Sequence, residues 1–303
     1  MSTVTMHHVK NNSYYLTGIF SIGVYRYDNN VILFDSGSDE QSASRAVQAL
    51  KSENCTVRAI INTHCHPDHS GGNYFFQKWY ENVSVYAAYD EKLFIEDPKW
   101  VPRCFCANAA PFAGLKVKAL APRKKSVVTH IVPYKDDSLI IDGQELQIVT
   151  LPGHTPGSIG IITPDNVLYS GDAIFGEVTV QKHPVLFHTD IEEALKTLHK
   201  IVSLPVDIAI LYHGGFVSNI KDIVQANEEK IVKNKDVISS FISSHPVSID
   251  LLTQKVMQHY QIADNIVSLT LTQTTVRAYI TYLESHNFVK IIVQNGLLQV
   301  CKV

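Results

Sequence analysis

A dense group of metal-ligating side chains lies in residues 64–72. The sequence of this segment is His64-Cys65-His66-Pro67-Asp68-His69-Ser70-Gly71-Gly72, with three imidazoles and one carboxylate within six residues. His64 and His66 are two residues apart, so an extended backbone can direct both rings to the same side. The following proline turns the chain and presents Asp68 and His69 to a second point. Two clusters this close predict two metal ions, about 3.5–4 Å apart as in typical hydrolytic sites.

The residues on either side predict that this segment is a strand-to-helix loop. Residues 57–62 are an apolar run typical of a buried strand, and residues 73–80 begin an amphipathic helical pattern. Gly71 and Gly72 allow the backbone to fold tightly behind the ligands. Cys65 lies between two candidate ligands, but its side chain points away from both on an extended backbone, so we do not expect it to bind metal.

The His-x-His-x-Asp-His pattern before a pair of glycines resembles the signature of the metallo-β-lactamase superfamily. A solvated turn that happens to contain histidines is the alternative interpretation. The resemblance implies an α/β fold, a four-layer αββα sandwich, with a binuclear metal centre and hydrolytic activity. In that superfamily an aspartate at the position of Asp35 braces the metal loop, whereas a helix cap or a turn residue is an equal alternative from the residues alone.

Three further candidate ligands each follow an apolar, strand-like run. They are His154, Asp172 and His213. The ends of neighbouring strands meet at one edge of a sheet, where open α/β sheets place their ligands, so we expect these side chains to converge with the first loop. The segments 154–158 and 170–172 also match later motifs of the superfamily.

The superfamily pattern implies a complete ligand set. It assigns His64, His66 and His154 to one metal and Asp68, His69 and His213 to a second, with Asp172 bridging them. Imidazole and carboxylate ligands without thiolates suit two divalent ions, with zinc as the first choice and iron or manganese as alternatives. The pattern also implies a hydroxide held between the two cations as nucleophile, with Asp68 as the catalytic residue that orients it and moves its proton.

Composition describes an ordinary globular protein. The chain has 303 residues, a formal net charge of −3, 45% hydrophobic residues and 18% charged residues, so bulk charge does not recruit nucleic acid. The first ten residues lack a signal-peptide core, and no apolar run reaches transmembrane length, which predicts a cytoplasmic protein without a membrane partner. Five cysteines, an odd number, are expected to be reduced thiols.

The pattern changes near residue 218, which divides the chain into a hydrolase domain at 1–217 and a smaller domain at 218–303. Helical patterns at 222–244, 248–260 and 272–286 precede a hairpin signal, Asn295-Gly296 between apolar runs. Three helices and a hairpin predict a winged-helix-like module, and this layout resembles the β-lactamase-like protein 2 branch. The start of the third helix carries one positive charge, so we favour a packing, lid-supporting or homo-oligomer role over DNA binding.

A segment rich in proline and aromatic residues, 97–114, predicts an irregular insert that covers the metal site as a lid. Trp100, Phe105 and Phe112 are its candidate substrate contacts, with loop packing or a dimer contact as the alternative. Tyr212, next to the last ligand, is a further candidate that could donate a hydrogen bond to substrate, although a tyrosine at a strand end is more often packed.

The resulting hypothesis is a binuclear metal-dependent hydrolase of a small ester, thioester or lactone. A phosphodiesterase or endoribonuclease is the alternative, since the basic stretch 116–125 could contact a nucleic-acid backbone. An iron-dependent sulfur dioxygenase is a third. A dedicated β-lactamase is disfavoured because Asp172 stands where the classical enzymes use a cysteine. A glutathione-thioester hydrolase is disfavoured because residues 211–216 depart from the Cys-Gly-His-Glu-Tyr type motif of that family.

Overall fold

The computed structural model describes residues 4–18, 20–122 and 124–303. Its first sheet has seven strands arranged in the order of the chain. The first four strands are antiparallel and the last three join in parallel. A tight turn joins the third and fourth strands, since Tyr27 pairs with Asn30. The strands are β1 Thr5–Lys10, β2 Ser13–Thr17, β3 Ile22–Tyr27, β4 Asn30–Phe34, β5 Thr56–Ile61, β6 Ser84–Ala88 and β7 His130–Val132.

The second sheet has six strands in the order β13-β12-β11-β10-β9-β8. Its β11 and β12 run in parallel, and its other neighbouring strands are antiparallel. The strands are β8 Asp137–Ile141, β9 Gln144–Thr150, β10 Ile159–Ile162, β11 Val167–Tyr169, β12 Ile208–Leu211 and β13 Gly215–Val217.

Helices pack on the outer faces of the two sheets, in the ligand loop and in the C-terminal region. They are α1 Glu40–Ser52, α2 Pro67–Ser70, α3 Asn73–Trp79, α4 Tyr89–Glu96, α5 Trp100–Cys104, α6 Glu177–Lys182, α7 Ile191–Ser203, α8 Ile220–Ser240, α9 Ile249–His259 and α10 Ile266–Ser285. The two sheets share a core in which Phe34 of the first packs on Tyr169 of the second, with ring centroids 4.4 Å apart. Leu50 of α1 is buried against the first sheet and Leu198 of α7 against the second. These four layers confirm the predicted αββα sandwich.

The C-terminal region packs α8, α9 and α10 with a three-stranded sheet in the order β14-β16-β15. Its strands are β14 Val247–Ser248, β15 Val289–Gln294 and β16 Leu297–Lys302. The predicted hairpin is confirmed, since Gln294 pairs with Leu297 and both turn residues have positive φ, 52° at Asn295 and 72° at Gly296. The winged-helix assignment and the boundary at residues 217 and 218 stay predictions. The hydrophobic core of this region is continuous with that of the second sheet.

The segment 97–114 is mostly irregular, as predicted, but it contains the short helix α5 and a 3-10 turn at Ala113–Leu115. Pro102 lies in the first turn of α5, where a missing amide hydrogen is tolerated. The 3-10 turn lies against the start of α10, where a Cβ added to Gly114 would come within 2.6 Å of Ile266. In the basic stretch 116–125, Arg123 lies outside the described residues.

Among the helices of the described residues, none is long and apolar enough to cross a membrane.

Candidate metal centre

The loops that follow four strands bring the seven predicted ligands together. His64, His66, Asp68 and His69 follow β5, and one ligand each follows β9, β11 and β12. Within each of two sets of side chains, the donor atoms lie within 4.8 Å of one another. The first set is His64, His66 and His154, and the second is Asp68, His69 and His213. These are the two sets that the sequence predicts, so the expected convergence is present in the structure.

Asp172 lies between the two sets. Its Oδ1 is 3.3 Å from Nε2 of His69, and its Oδ2 is 3.4 Å from Nε2 of His213. The same Oδ2 lies 3.6 Å from Nε2 of His154, which belongs to the first set. One carboxylate therefore contacts members of both sets, which is the position that a bridging ligand needs.

Several buried donor atoms in this cluster have no hydrogen-bond partner among the described residues. They are Nε2 of His64, Nε2 of His69 and Oδ1 of Asp172. In addition, Nε2 of His154 lies 2.9 Å from Nδ1 of His66, so two ring nitrogens face each other in the first set. Burying unsatisfied polar atoms is costly unless something else satisfies them. Divalent cations fit this donor set, because imidazole nitrogens and carboxylate oxygens are their usual ligands.

Asp35 fixes the orientation of His69. Its Oδ2 accepts a hydrogen bond from Nδ1 of His69 at 2.7 Å and another from the hydroxyl of Thr63 at 2.8 Å. Its Oδ1 accepts the backbone N–H of Thr63 at 2.8 Å. The bracing role is thus the correct interpretation of Asp35. In the same way Nδ1 of His154 donates to the carbonyl of Phe187 at 2.9 Å, which turns Nε2 towards the cluster.

Glu91, in the first turn of α4, joins two of the ligand loops, and sequence reasoning missed it. Its side chain is 2% exposed. One carboxylate oxygen accepts the backbone N–H of Cys65 at 2.9 Å, between His64 and His66. The other accepts the hydroxyl of Thr155 at 2.7 Å and the backbone N–H of Gly157 at 2.9 Å, in the loop that carries His154. Glu91 therefore holds the three ligands of the first set in a fixed relation.

The glycine pair behind the ligands is needed for space. A Cβ added to Gly71 would lie 2.2 Å from the carbonyl oxygen of Ser38, and one added to Gly72 would lie 2.1 Å from that of Ser36. Both glycines have negative φ, −66° and −83°, so the close approach of two backbones, and not an unusual conformation, requires glycine here. Cys65 is buried, and its thiol belongs to neither ligand set, as expected.

The two carboxylates and His154 have the ionisation states that bind a cation. Burial acts to raise the pKa of Asp172, but His213 and His69 outweigh it and hold the pKa well below its ordinary value. Burial also opposes ionisation of Asp68, yet His69 and His213 lower the pKa to about 2. Burial and the neighbouring charge of His66 lower the pKa of His154 to about 3. Ionised carboxylates and a neutral imidazole are the forms that coordinate a cation. Burial acts to lower the pKa of His69 and of His213, but Asp172 outweighs it, raising the pKa of His213 to about 9 and that of His69 well above its ordinary value. A cation bound at the second set would therefore displace a proton from each of these two rings.

A cavity of about 610 Å³ opens onto the cluster and is of a size usual for small-molecule sites. His154, Asp172 and His213 lie at one end of it. One wall comes from α6 and the loop after it, and the other from α10 and the loop before it. The remaining lining residues are Phe175, Thr179, Lys182, His183, Pro184, Val185, Leu186, Phe187, Tyr260, Gln261, Ile262, Ala263, Ser268, Leu271, Thr272 and Thr275.

The structure does not bring the four predicted substrate contacts to this cavity. Phe112 is 68% exposed, while Trp100 and Phe105 are half-buried in and beside α5, and none of the three lines the cavity. Tyr212 is 3% exposed, and its hydroxyl donates to the backbone carbonyl of Asp68. Its ring lies 3.8 Å from that of His69. The packing alternative therefore describes Tyr212, which supports the second ligand set from behind.

The model of the metallo-beta-lactamase superfamily matches residues 18–213. This match covers more than half of the chain and contains every predicted ligand. The chain therefore belongs to the metallo-beta-lactamase superfamily. It is a metal-dependent hydrolase of that superfamily.

Three curated relatives are similar to this chain. A probable metallo-hydrolase, YflN, from Bacillus subtilis is 27% identical over 219 residues, which are 66% of this chain and 81% of that protein. A beta-lactamase-like protein 2 homolog from Caenorhabditis elegans is 27% identical over 74% of this chain and 66% of its own length. A hydroxyacylglutathione hydrolase from Shewanella baltica is 27% identical over 62% of this chain and 60% of its own length. The chain thus resembles the β-lactamase-like protein 2 branch, as its layout predicts.

A solved structure supports the fold over the whole chain. A metallo-beta-lactamase family protein from Thermus thermophilus superposes with a TM-score of 0.71 at 16% identity, covering 99% of this chain and 98% of that one. The superposition includes the C-terminal region.

Proposed function

We propose that this protein is a binuclear metal-dependent hydrolase that cleaves a small ester, thioester or lactone. One observation carries the proposal. Seven side chains that suit two divalent cations converge, and three of them, His154, Asp172 and His213, line a cavity whose other lining residues are about half apolar. A site of this kind combines metal-assisted hydrolysis with room for a small molecule.

Each of the two ligand sets would hold one cation. His64, His66 and His154 would hold one, Asp68, His69 and His213 the other, and Asp172 would contact both. When bound, the cations, most simply zinc, would acidify a water molecule and polarise the carbonyl that it attacks. Three nitrogen ligands in the first set leave a coordination position open, as a catalytic site requires.

Asp68 is the proposed catalytic residue, because it alone of the three carboxylate-bearing neighbours of His69 reaches towards solvent. Its side chain is 30% exposed, compared with 6% for Asp172 and 1% for Asp35. Its Oδ2 lies 3.1 Å from Nε2 of His213. The other carboxylate oxygen is then available to accept a hydrogen bond from the attacking water and to take up its proton.

The lining of the cavity favours an acyl substrate over a phosphodiester. Of the described residues that line it, Lys182 is the single lysine or arginine, whereas recognition of a nucleic-acid backbone needs several positive charges. The similar hydroxyacylglutathione hydrolase acts, by its name, on a thioester. For the C-terminal region we propose a packing role, in which it packs against the hydrolase domain so that α10 forms one wall of the cavity. The cytoplasmic location stays a prediction.

The experiment is a substrate screen with the full-length protein after reconstitution with zinc, manganese or ferrous iron. Simple esters, thioesters and lactones are compared with a bis-nitrophenyl phosphodiester, a short RNA and a glutathione persulfide, the last followed by oxygen uptake. The proposal expects turnover of at least one acyl compound that disappears on chelation. Turnover confined to the phosphodiester or the RNA would replace it with the phosphodiesterase alternative, and oxygen uptake would replace it with the sulfur dioxygenase.

A further inference from the structure

We infer that the cavity beside the metal cluster binds an apolar acyl chain, and that α10 of the C-terminal region determines which chain fits. This inference rests on the proposed acyl hydrolysis and names the substrate class. The substrates would be esters or thioesters of unbranched, uncharged acyl groups longer than acetyl.

The wall from α10 consists of one face of the helix. Leu271, Thr272 and Thr275 line the cavity, and the spacing of Leu271 and Thr275 by four residues places them on the same side. Thr272 is 6% exposed and Thr275 is 1% exposed. Leu269, on the same helix, is 43% exposed and does not line the cavity. The face that meets the cavity is therefore a definite surface of the helix and not its general exterior.

The opposite wall has apolar residues beside the ligands, in addition to Thr179, Lys182 and His183. Phe175 and Leu186 are buried, and Phe187 joins the cavity to the first ligand set. The ring of Phe187 lies 5.5 Å from that of His154 and 5.6 Å from that of His66, between centroids. Its carbonyl accepts the hydrogen bond from His154. A carbonyl group held at the cluster would thus have its chain extending along Phe187 into the cavity.

The charges along the cavity exclude a cationic chain. Apart from Asp172 at the cluster, the described lining residues include no carboxylate, whereas Lys182 and His183 lie along the side of α6. A positively charged chain would find no carboxylate partner among the described lining residues other than Asp172, and it would share the cavity with the like charge of Lys182. An aliphatic chain gains contact with the same walls at each added methylene.

The test compares chain length and chain charge in the zinc-reconstituted, full-length protein. The substrates are p-nitrophenyl acetate, hexanoate and 6-aminohexanoate, and the corresponding N-acetylcysteamine thioesters. We expect kcat/KM for hexanoate to exceed that for acetate by at least about tenfold, since one methylene in an apolar pocket is already worth about tenfold. The 6-amino compound should fall back to the acetate level.

Variants of α10 test whether this helix determines the preference for hexanoate over acetate. Leu271→Trp should fill the cavity and abolish the preference for hexanoate over acetate, and Leu271→Ala should reduce this preference. Leu269→Ala is the matched control and should leave the preference unchanged. Binding of sodium hexanoate, measured by calorimetry on protein with and without zinc, gives a readout that does not depend on turnover. Thermal unfolding checks that each variant is folded.

The outcomes separate the two proposals. If no ester or thioester is hydrolysed but hexanoate binds and Leu271→Trp abolishes the binding, the proposed reaction is wrong and the chain-binding cavity is correct. If esters are hydrolysed with no dependence on chain length and the Leu271 variants resemble Leu269→Ala, the cavity inference is wrong and the hydrolase proposal stands.

Discussion

Nδ1 of His69 donates a hydrogen bond to Oδ2 of Asp35 at 2.7 Å, so Nε2 of His69 faces Asp68 and Asp172 on the other side of the ring. The side chains of His69 and Asp35 are at most 1% exposed. The contact fixes which nitrogen of His69 can bind a cation. Support of this kind behind a ligand usually matters almost as much as the ligand itself.

Asp35→Asn should lower the affinity of the second ligand set for metal by about 10–100-fold. The amide has one acceptor oxygen, so its NH2 group would face either the backbone N–H of Thr63, which Oδ1 accepts, or His69 and the Thr63 hydroxyl, which donate to Oδ2. Competitive zinc titration against a chromogenic chelator measures the change. Asp165→Asn is the control, since Asp165 is also a buried carboxylate with several hydrogen bonds but lies against β2, away from the cluster. Equal zinc affinities in the two variants would contradict the bracing role.

Glu91→Gln should weaken the first ligand set and destabilise the fold. The amide nitrogen would face an N–H or O–H donor at one of the two oxygen positions, and a buried unsatisfied donor costs about 1–3 kcal/mol. Urea unfolding of chelator-treated protein measures the stability, and zinc titration measures the affinity.

Glu96→Gln is the matched control for Glu91. Glu96 is on the same helix and accepts one backbone N–H, from Val128 at 3.0 Å. Because the amide oxygen of glutamine can still accept this N–H, we expect Glu96→Gln to keep both the stability and the zinc affinity of the unsubstituted protein. A Glu91 variant with the zinc affinity of the Glu96 variant would show that Glu91 only stabilises α4.

Gly72→Ala should destabilise the protein by at least about 2 kcal/mol, because the added methyl group would overlap the backbone of Ser36 and force the two loops apart. Gly18→Ala is the control, since a Cβ there would make only an ordinary contact, at 3.5 Å from Val4. Thermal unfolding of the two variants should differ clearly. If Gly72→Ala unfolds at the same temperature as Gly18→Ala, the close approach behind the ligands is not needed for stability.

The sequence predicts well which candidate ligands converge, because each one lies in a short motif at the end of an apolar run. His64, His154, Asp172 and His213 each follow a strand, and the sheets bring the strand ends together. The helix bounds near 218–286 were less accurate. The third helix begins at Ile266, six residues before the predicted start at Thr272, because its first turn is apolar and is capped by Asn265.

The contacts that support the ligands could not be predicted from the sequence. Glu91 lies on α4, 26 residues after Cys65, and an acidic residue in the first turn of a helix is ordinarily solvated. The cavity brings Leu271 and Thr275 of α10 opposite residues of α6 and the loop after it, which lie far away in the chain. The aromatic residues of 97–114 are candidate substrate contacts by composition alone, and composition does not indicate the direction of a side chain.

Asp68→Asn should lower kcat by about 100-fold or more and leave the fold intact, because the amide cannot take up a proton and the side chain is partly exposed. The zinc content of the variant must be measured together with kcat, since Asp68 is also a proposed ligand. Asp137→Asn, an exposed carboxylate paired with Lys135, is the control and should keep full activity. Unchanged turnover in Asp68→Asn would remove Asp68 from the reaction.

The proposed function depends on seven side chains between positions 64 and 213 that hold two cations. Mass-spectrometric elemental analysis of the reconstituted, gel-filtered protein tests this most directly. We predict two metal ions per chain, and one in a His154→Ala variant, which loses a ligand of the first set only. A folded protein that retains no metal after reconstitution, or a His154→Ala variant that still retains two, would contradict it.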